Sequence, residues 1–204
     1  MKKKKKRVAV PTLEQLEKER KRYQYQQKYG RTLRSTLSVL IVVAAIATLV
    51  ATLWMPVLQI YGSSMNPTFE DGQIVVSVKG KDYAAGDLVA FYYGNKLLIK
   101  RVIAGPGDWI NIADNGDVFV NGELLSEPYV QEKALGECDQ TFPLQVGEDR
   151  WFLMGDNRPI SVDSRSTMVG CVSVEQIVGK IVWRVWPLRL FGPLKDIERE
   201  TADE

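Results

Sequence analysis

Residues Leu37–Leu58 read LSVLIVVAAIATLVATLWMPVL, 22 consecutive positions without a charge and with only Ser38, Thr48 and Thr52 as hydroxyls. In a helix rising about 1.5 Å per residue, a run of this length covers roughly the 30 Å hydrocarbon core of a bilayer. A cleavable secretory signal has a shorter apolar region of about 7–15 residues behind a short basic front, and a helix in a soluble core usually keeps some polar face. The run therefore predicts one membrane-spanning helix, placed with its uncharged flank at residues 35–58.

Charge decides which way that helix points. Residues 1–34 carry 13 Lys/Arg against 3 Asp/Glu, whereas residues 35–204 carry 14 against 22. A basic arm by itself is compatible with nucleic acid, but this one stops where the apolar run begins, so no nucleic-acid partner is expected. Arg31 and Arg34 flank the near end and Trp54 and Pro56 the far end. Positive charge is retained on the cytoplasmic side, so residues 1–34 read as a cytoplasmic arm and everything after about Tyr61 as extracytoplasmic. Lys2–Arg7 predicts a tail and Glu14–Tyr29 a short polar helix. Together they serve either as a solvated topology signal or as a contact for anionic lipid.

Beyond the membrane segment the pattern changes to short β-branched and aromatic runs. Gln73–Val78, Leu88–Tyr93, Leu97–Ile103, Trp109–Ile112, Asp117–Val120, Trp151–Met154 and Ile177–Trp186 read as strands. Asp71-Gly72, Gly94-Asn95, Asn115-Gly116 and Asn121-Gly122 read as the tight turns between them. No long amphipathic helix follows residue 60, so the expected fold is mainly β, one N-terminal transmembrane helix followed by an antiparallel sheet domain. Trp183, Trp186, Leu188, Leu190 and Phe191 are read either as core strand or as a segment dipping into the membrane interface.

The chain contains no histidine. That removes Ser-His-Asp and Cys-His hydrolases and His-ligated zinc proteases, leaving Lys, carboxylates, Tyr or Cys for proton transfer. Gly62-Ser63-Ser64-Met65-Asn66-Pro67-Thr68 can hold a hydroxyl exposed with backbone N–H groups free beside it. In strand geometry Lys100 shares a face with Leu98 and Val102, and Arg101 takes the other face. A desolvated Lys100 could serve as a neutral base, while an amine that snorkels to solvent could not. Gly155-Asp156-Asn157-Arg158-Pro159-Ile160-Ser161-Val162-Asp163-Ser164-Arg165 reads on its own as an Asx-rich turn. Cys138 and Cys171 either pair or stay free, since spacing says nothing of whether their Cα atoms come within about 7 Å; without histidine, neither is a catalytic thiol candidate.

Taken together, Ser64-Met65-Asn66-Pro67-Thr68, the Gly72 turn before Ile74-Val75-Val76, Lys100 through Asp108, Gly155 through Arg165, Gly179-Lys180 and Trp186-Pro187 closely resemble bacterial type I signal peptidase over about residues 35 to 190. The resemblance implies a membrane-anchored serine endopeptidase with Ser64 as nucleophile, Lys100 as general base and the Ser64 amide in the oxyanion hole. It further implies that Ser161 orients the lysine, that Asp163 and Arg165 form a supporting ion pair, and that Asp156 lies in the same shell. Gly62 stands where many Gram-negative members carry a serine, which resembles the single-span Gram-positive branch and leaves the second oxyanion donor open. Residues 59–190 are then the catalytic domain, 109–150 a reduced second β subdomain or hairpin insertion, and 191–204 an acidic tail. Implied partners are secretory preproteins cut after small residues and membrane lipid. The expected enzyme is a monomer near the secretion translocon, with no cofactor and no metal. A self-cleaving regulator of the SOS-repressor type would need a soluble DNA-binding domain in place of residues 37–58. A non-enzymatic membrane-tethered β module would not need both Ser64 and Lys100.

Overall fold

The computed structural model describes residues 12–194, so the Lys2–Arg7 tail and the acidic segment from Lys195 lie outside the described residues. The chain divides into two units, residues 1–50 and 51–204.

Most of the first unit belongs to helix α1, Leu13–Trp54. The separate polar helix expected over Glu14–Tyr29 and the apolar segment are one continuous rod, because only Gly30 interrupts the good helix formers and a single glycine costs about 1 kcal/mol. The helix stops at Trp54 rather than at Leu58. Pro56 supplies no N–H and disfavours helical geometry at Met55, so Val57 and Leu58 enter a strand instead. Leu40, Ile41, Val42, Ile46 and Leu49 are all exposed. Among the described residues α1 is the one helix long and apolar enough to cross a membrane.

The second unit is antiparallel β throughout. Its larger sheet comprises β1 (Val57–Gln59), β2 (Ile74–Val78), β3 (Leu88–Tyr93), β4 (Lys96–Ala104), β9 (Arg150–Met154), β10 (Val172–Ser173), β11 (Ile177–Trp186) and β12 (Gly192–Pro193). The order is β1-β2-β11-β3-β4-β9-β10, with β12 pairing off β11. A four-stranded sheet, β7-β6-β5-β8, is built from β5 (Trp109–Ile112), β6 (Val118–Val120), β7 (Glu123–Leu124) and β8 (Leu144–Gln145). The long strands follow the β-branched runs. Five short ones, β1, β8, β10, β12 and β7, carry no mark in the sequence, because two or three residues show no period. The fifth, β7, is the return arm of the Asn121-Gly122 turn, joined by the pair Val120↔Glu123. Gly94-Asn95 likewise closes β3 onto β4, with Tyr93 opposite Lys96.

Three apolar clusters fill the interior. Ile103, Ile110, Val118, Phe152 and Met154 join the end of β4 to the smaller sheet. Val89, Phe91, Val102, Trp151 and Leu153 pack on one face of the central strands, and Ile60, Met65, Phe69, Ala90 and Ile181 form the third cluster. The last part of the chain is not core: Trp186, Leu188 and Phe191 are 50%, 71% and 57% exposed. Trp183 meets Phe191 edge to face at 5.3 Å on this open surface. Cys138 and Cys171 are free thiols.

Phe152 has no exposed surface and stands where β4 and β9 meet the smaller sheet. Phe152→Ala should cost about 3–5 kcal/mol in denaturant unfolding, because it removes transfer energy and leaves a cavity. A loss below about 1 kcal/mol would mean the two sheets do not share this core.

Candidate active site

Ser64 sits in a turn fixed from both ends. Ile60 N–H donates to the Gln73 carbonyl at 2.8 Å and Gly72 N–H to the Ile60 carbonyl at 2.9 Å, extending the pairing of β1 with β2 up to the turn. The turn itself is closed by Asn66 N–H to the Ser63 carbonyl (3.1 Å) and Phe69 N–H to the Met65 carbonyl (2.9 Å). Met65 and Phe69 are buried on either side of it, so two apolar pegs set the height of Ser64. Gly62 N–H donates to Asp71 Oδ1 at 2.7 Å, which takes that amide out of reach of any ligand.

Strand β4 brings the lysine. In register Lys100 stands opposite Val89 and Arg101 opposite Leu88, so the two cations leave opposite faces, as the alternation predicts. Both are buried, each 2% exposed. The snorkelling alternative is thereby excluded. Lys100 Nζ lies 2.7 Å from Ser64 Oγ. Burial pushes the amine down to about 8, opposed by the negative charge of Asp163, assisted by Arg165 and opposed again by Asp156.

The loop from Gly155 to Arg165 leaves β9 and grips the serine turn. Asn157 N–H donates to the Ser64 carbonyl at 3.1 Å, and Asn157 Nδ2 to the Ser63 carbonyl at 3.1 Å. Asp156 accepts Arg101 Nε and Nη2 at 2.9 and 2.7 Å and also accepts the Thr68 hydroxyl, so one carboxylate ties β4 to the far end of the turn. Arg184 Nη2 on β11 secures the Thr68 carbonyl at 2.7 Å. Asp163 binds Arg165 at Nε (2.8 Å) and Nη2 (2.9 Å), and its Oδ2 accepts Gly155 N–H at 2.9 Å. Only glycine fits at 155, where a Cβ would come within 2.6 Å of the Ser64 carbonyl and 2.2 Å of Ser161 Oγ.

Ser64, Lys100, Asp156, Asp163 and Arg165 are thus gathered into one network, with Gly62 in the turn. Ser161 is buried beside Gly155, but its Oγ has no hydrogen-bond partner, so the implied contact to the lysine is not formed in this structure. Glu127 is a residue the motifs do not mark: of the buried arginines Arg101, Arg158 and Arg165, the first pairs with Asp156 and the third with Asp163, and Arg158 pairs with Glu127. Beside Ser64 opens a cleft of about 510 Å³ between the β1 end and the start of β4, walled by Leu58, Ile60, Met65, Leu98 and Ile99.

Residues 33–186 match the family described as Signal peptidase, peptidase S26. This chain belongs to that family. It is a type I signal peptidase, a serine protease that removes signal peptides. Among curated relatives, signal peptidase I of Bacillus caldolyticus is 38% identical, with the match covering 64% of this chain and 79% of that one. Signal peptidase IB of Staphylococcus aureus (strain COL) is 33% identical over 65% and 78%. The crystal structure of a signal peptidase I from Enterococcus faecalis V583 is 30% identical, with a TM-score of 0.40 over 49% of this chain and 97% of that one. As the sequence predicts, antiparallel sheet follows one long N-terminal apolar helix.

A lysine that holds its proton less tightly when folded than when unfolded destabilises the native state at neutral pH. The cost is fully present below about 8 and fades as pH rises toward the ordinary value of 10.5. Lys100→Met should therefore raise the thermal midpoint at pH 7 by several degrees, on the order of 1–3 kcal/mol, and that gain should shrink across the alkaline window. A gain independent of pH would show that the amine is not desolvated.

Proposed function

We propose that Ser64 and Lys100 form the catalytic dyad that cleaves secretory preproteins after small residues, at the outer surface of the membrane in which the apolar half of α1 is embedded. The single observation that carries this reading is the 2.7 Å approach of a buried Lys100 amine to Ser64 Oγ. A neutral amine takes the serine proton as Oγ attacks the scissile carbonyl, and returns it to the leaving amine as the acyl-enzyme forms. It then activates the water that releases the acyl group. One residue serves as base and acid, as imidazole does in a triad.

The Ser64 amide, which has no partner among the described residues, is the oxyanion donor. The Gly62 amide is not a second one, because Asp71 occupies it. Asp163, Arg165 and Asp156 set the electrostatic balance at the lysine. Ser161, buried and unpartnered beside them, is available to bond the amine once the substrate rearranges the site. A cleft with close apolar walls accepts alanine-sized side chains and rejects larger ones by overpacking. Arg31 and Arg34 support a cytoplasmic N-terminus. With Ser64 close behind α1 in sequence, the enzyme meets a cleavage site just outside the bilayer, where the membrane supplies part of the positioning. The exposed Trp186, Leu188 and Phe191 suit the same apolar boundary. The enzyme acts as a monomer near the translocon and needs no metal or cofactor for this chemistry.

With a preprotein substrate in detergent, Ser64→Ala and Lys100→Ala should each lower kcat by at least ~10³-fold while the fold is kept. Lys100→Arg should be as inactive, because a guanidinium stays protonated. The wild-type kcat/KM should rise with pH through an apparent pKa of about 8 as the amine loses its proton. Turnover by Lys100→Arg, or a flat profile, would assign the base elsewhere.

Orientation is tested separately. With Cys138 and Cys171 first replaced by serine, a cysteine introduced at Arg20 should react with a membrane-impermeant thiol reagent only after spheroplasts are opened. Labelling of intact spheroplasts would invert the topology.

A further inference from the structure

The three arginines around the dyad are all buried, and the Gly155–Arg165 loop carries carboxylates for only two of them. Asp156 is taken by Arg101 and Asp163 by Arg165. Arg158 reaches out of the loop instead, to Glu127 in the segment between β7 and β8. Arg158 Nη1 donates to Glu127 Oε2 at 3.1 Å and Nη2 to Glu127 Oε1, with both side chains at or below 1% exposure. Through Nε the same guanidinium holds the Gly155 carbonyl at 3.0 Å. Gly155 passes so near the Ser64 carbonyl that a Cβ would come within 2.6 Å of it, and Asn157, two residues on, bonds that carbonyl directly at 3.1 Å.

The segment makes further contacts of the same kind. The Tyr129 ring lies 3.9 Å beneath the Arg101 guanidinium, and the Tyr129 hydroxyl donates to Glu127 Oε1 at 3.3 Å. The Ala134 and Leu135 carbonyls accept Arg165 Nη1 at 3.1 and 2.7 Å. At Gly136 the backbones pass so closely that a Cβ would come within 2.5 Å of the Arg158 carbonyl and 2.8 Å of Arg165 Nη1. One stretch of chain therefore meets all three arginines, and each arginine is joined to a loop residue.

We propose that residues 127–136 form a strap that holds the Gly155–Arg165 loop in register with Ser64, and that Glu127 is its positioning residue. Glu127 touches neither Ser64 nor Lys100. It neutralises Arg158, which fixes Gly155 and with it the separation between the serine turn and β4. The proposal rests on the dyad reading, and it gives the segment 109–150 a part in catalysis as well as in the fold. A small displacement at the reacting atoms suffices for a large loss of rate, whereas the cleft beside Ser64 is lined by residues 58–62, 64–65 and 96–99, without any residue of the strap, and should bind as before.

The test uses the full chain in detergent with a preprotein, each variant assayed well below its own melting midpoint. Glu127→Gln should lower kcat about tenfold to hundredfold with KM held within about twofold. Glu127→Asp, which keeps the charge on a shorter reach, should recover part of that loss. If Glu127→Gln does not fold because Arg158 is left as an unpaired buried charge, the double variant Glu127→Gln/Arg158→Met removes both charges, and should regain a near wild-type midpoint while kcat stays low. Wild-type kcat in folded Glu127→Gln or in the double variant would overturn the strap, as would a loss carried by KM. Lys100→Ala, assayed alongside, separates the two readings. Turnover by Lys100→Ala removes the dyad whatever Glu127→Gln does, and an inactive Lys100→Ala beside a fully active Glu127→Gln removes the strap alone.

Discussion

Everything around Ser64 follows from keeping one amine out of water. An exposed lysine is protonated at neutral pH and cannot accept a proton from serine, so the proposed dyad requires Lys100 to be desolvated and still held 2.7 Å from Ser64 Oγ. Desolvation lowers the pKa to about 8 and at the same time costs stability at neutral pH. The fold meets that cost with a core in three clusters and with a sheet whose central strands are covered on both faces. On the proposed mechanism, catalytic competence and local instability are one property seen from two sides.

The lysine does not stand alone in the interior. Arg101, Arg158 and Arg165 are buried near it, and each has a carboxylate in bidentate or near-bidentate contact. Such pairs gain little net free energy over apolar residues of similar volume. Their value at this site is geometric, since a paired guanidinium is a rigid fork that can join three segments of chain at once. Asp156 binds β4 to the serine turn through Arg101 and Thr68. Asp163 binds the start of its own loop through the Gly155 amide. Glu127 joins the insertion to both through Arg158. The electrostatic balance at the amine comes out of the same network, with Asp163 and Asp156 holding the pKa up and burial together with Arg165 holding it down.

Family membership accounts for the serine protease activity and for the antiparallel framework, and the geometry adds how this member organises the serine turn. The Gly62 amide is engaged by Asp71. In the proposed mechanism, oxyanion stabilisation therefore falls to the Ser64 amide. The unpartnered hydroxyl of Ser161 is the one buried polar group of the loop left with hydrogen-bonding capacity.

Much of this was legible before any coordinates. The uncharged run, the basic arm, the seven longer strands and the Ser64 and Lys100 motifs all show in local pattern, because membrane partition, strand alternation and turn chemistry each act over a few neighbouring residues. The helix end was misplaced because the hydrophobic effect does not distinguish Val57 and Leu58 in a helix from the same residues in a strand; Pro56 decides that. Burial of Lys100 was not legible, since alternation gives a face and not what covers it. Nor was the Glu127–Arg158 pair, 31 residues apart, since Glu127 lies in no motif and nothing local joins it to Arg158. Sequence alone determined the long apolar segment, the strand-rich class and the candidate residues for the chemistry. The tertiary structure alone decided which amine loses its water, which carboxylate meets which arginine, and which amides of the serine turn are left without a partner among the described residues. Those outcomes depend on desolvation and on contacts between distant segments, and neither is a property of a residue and its neighbours in the chain.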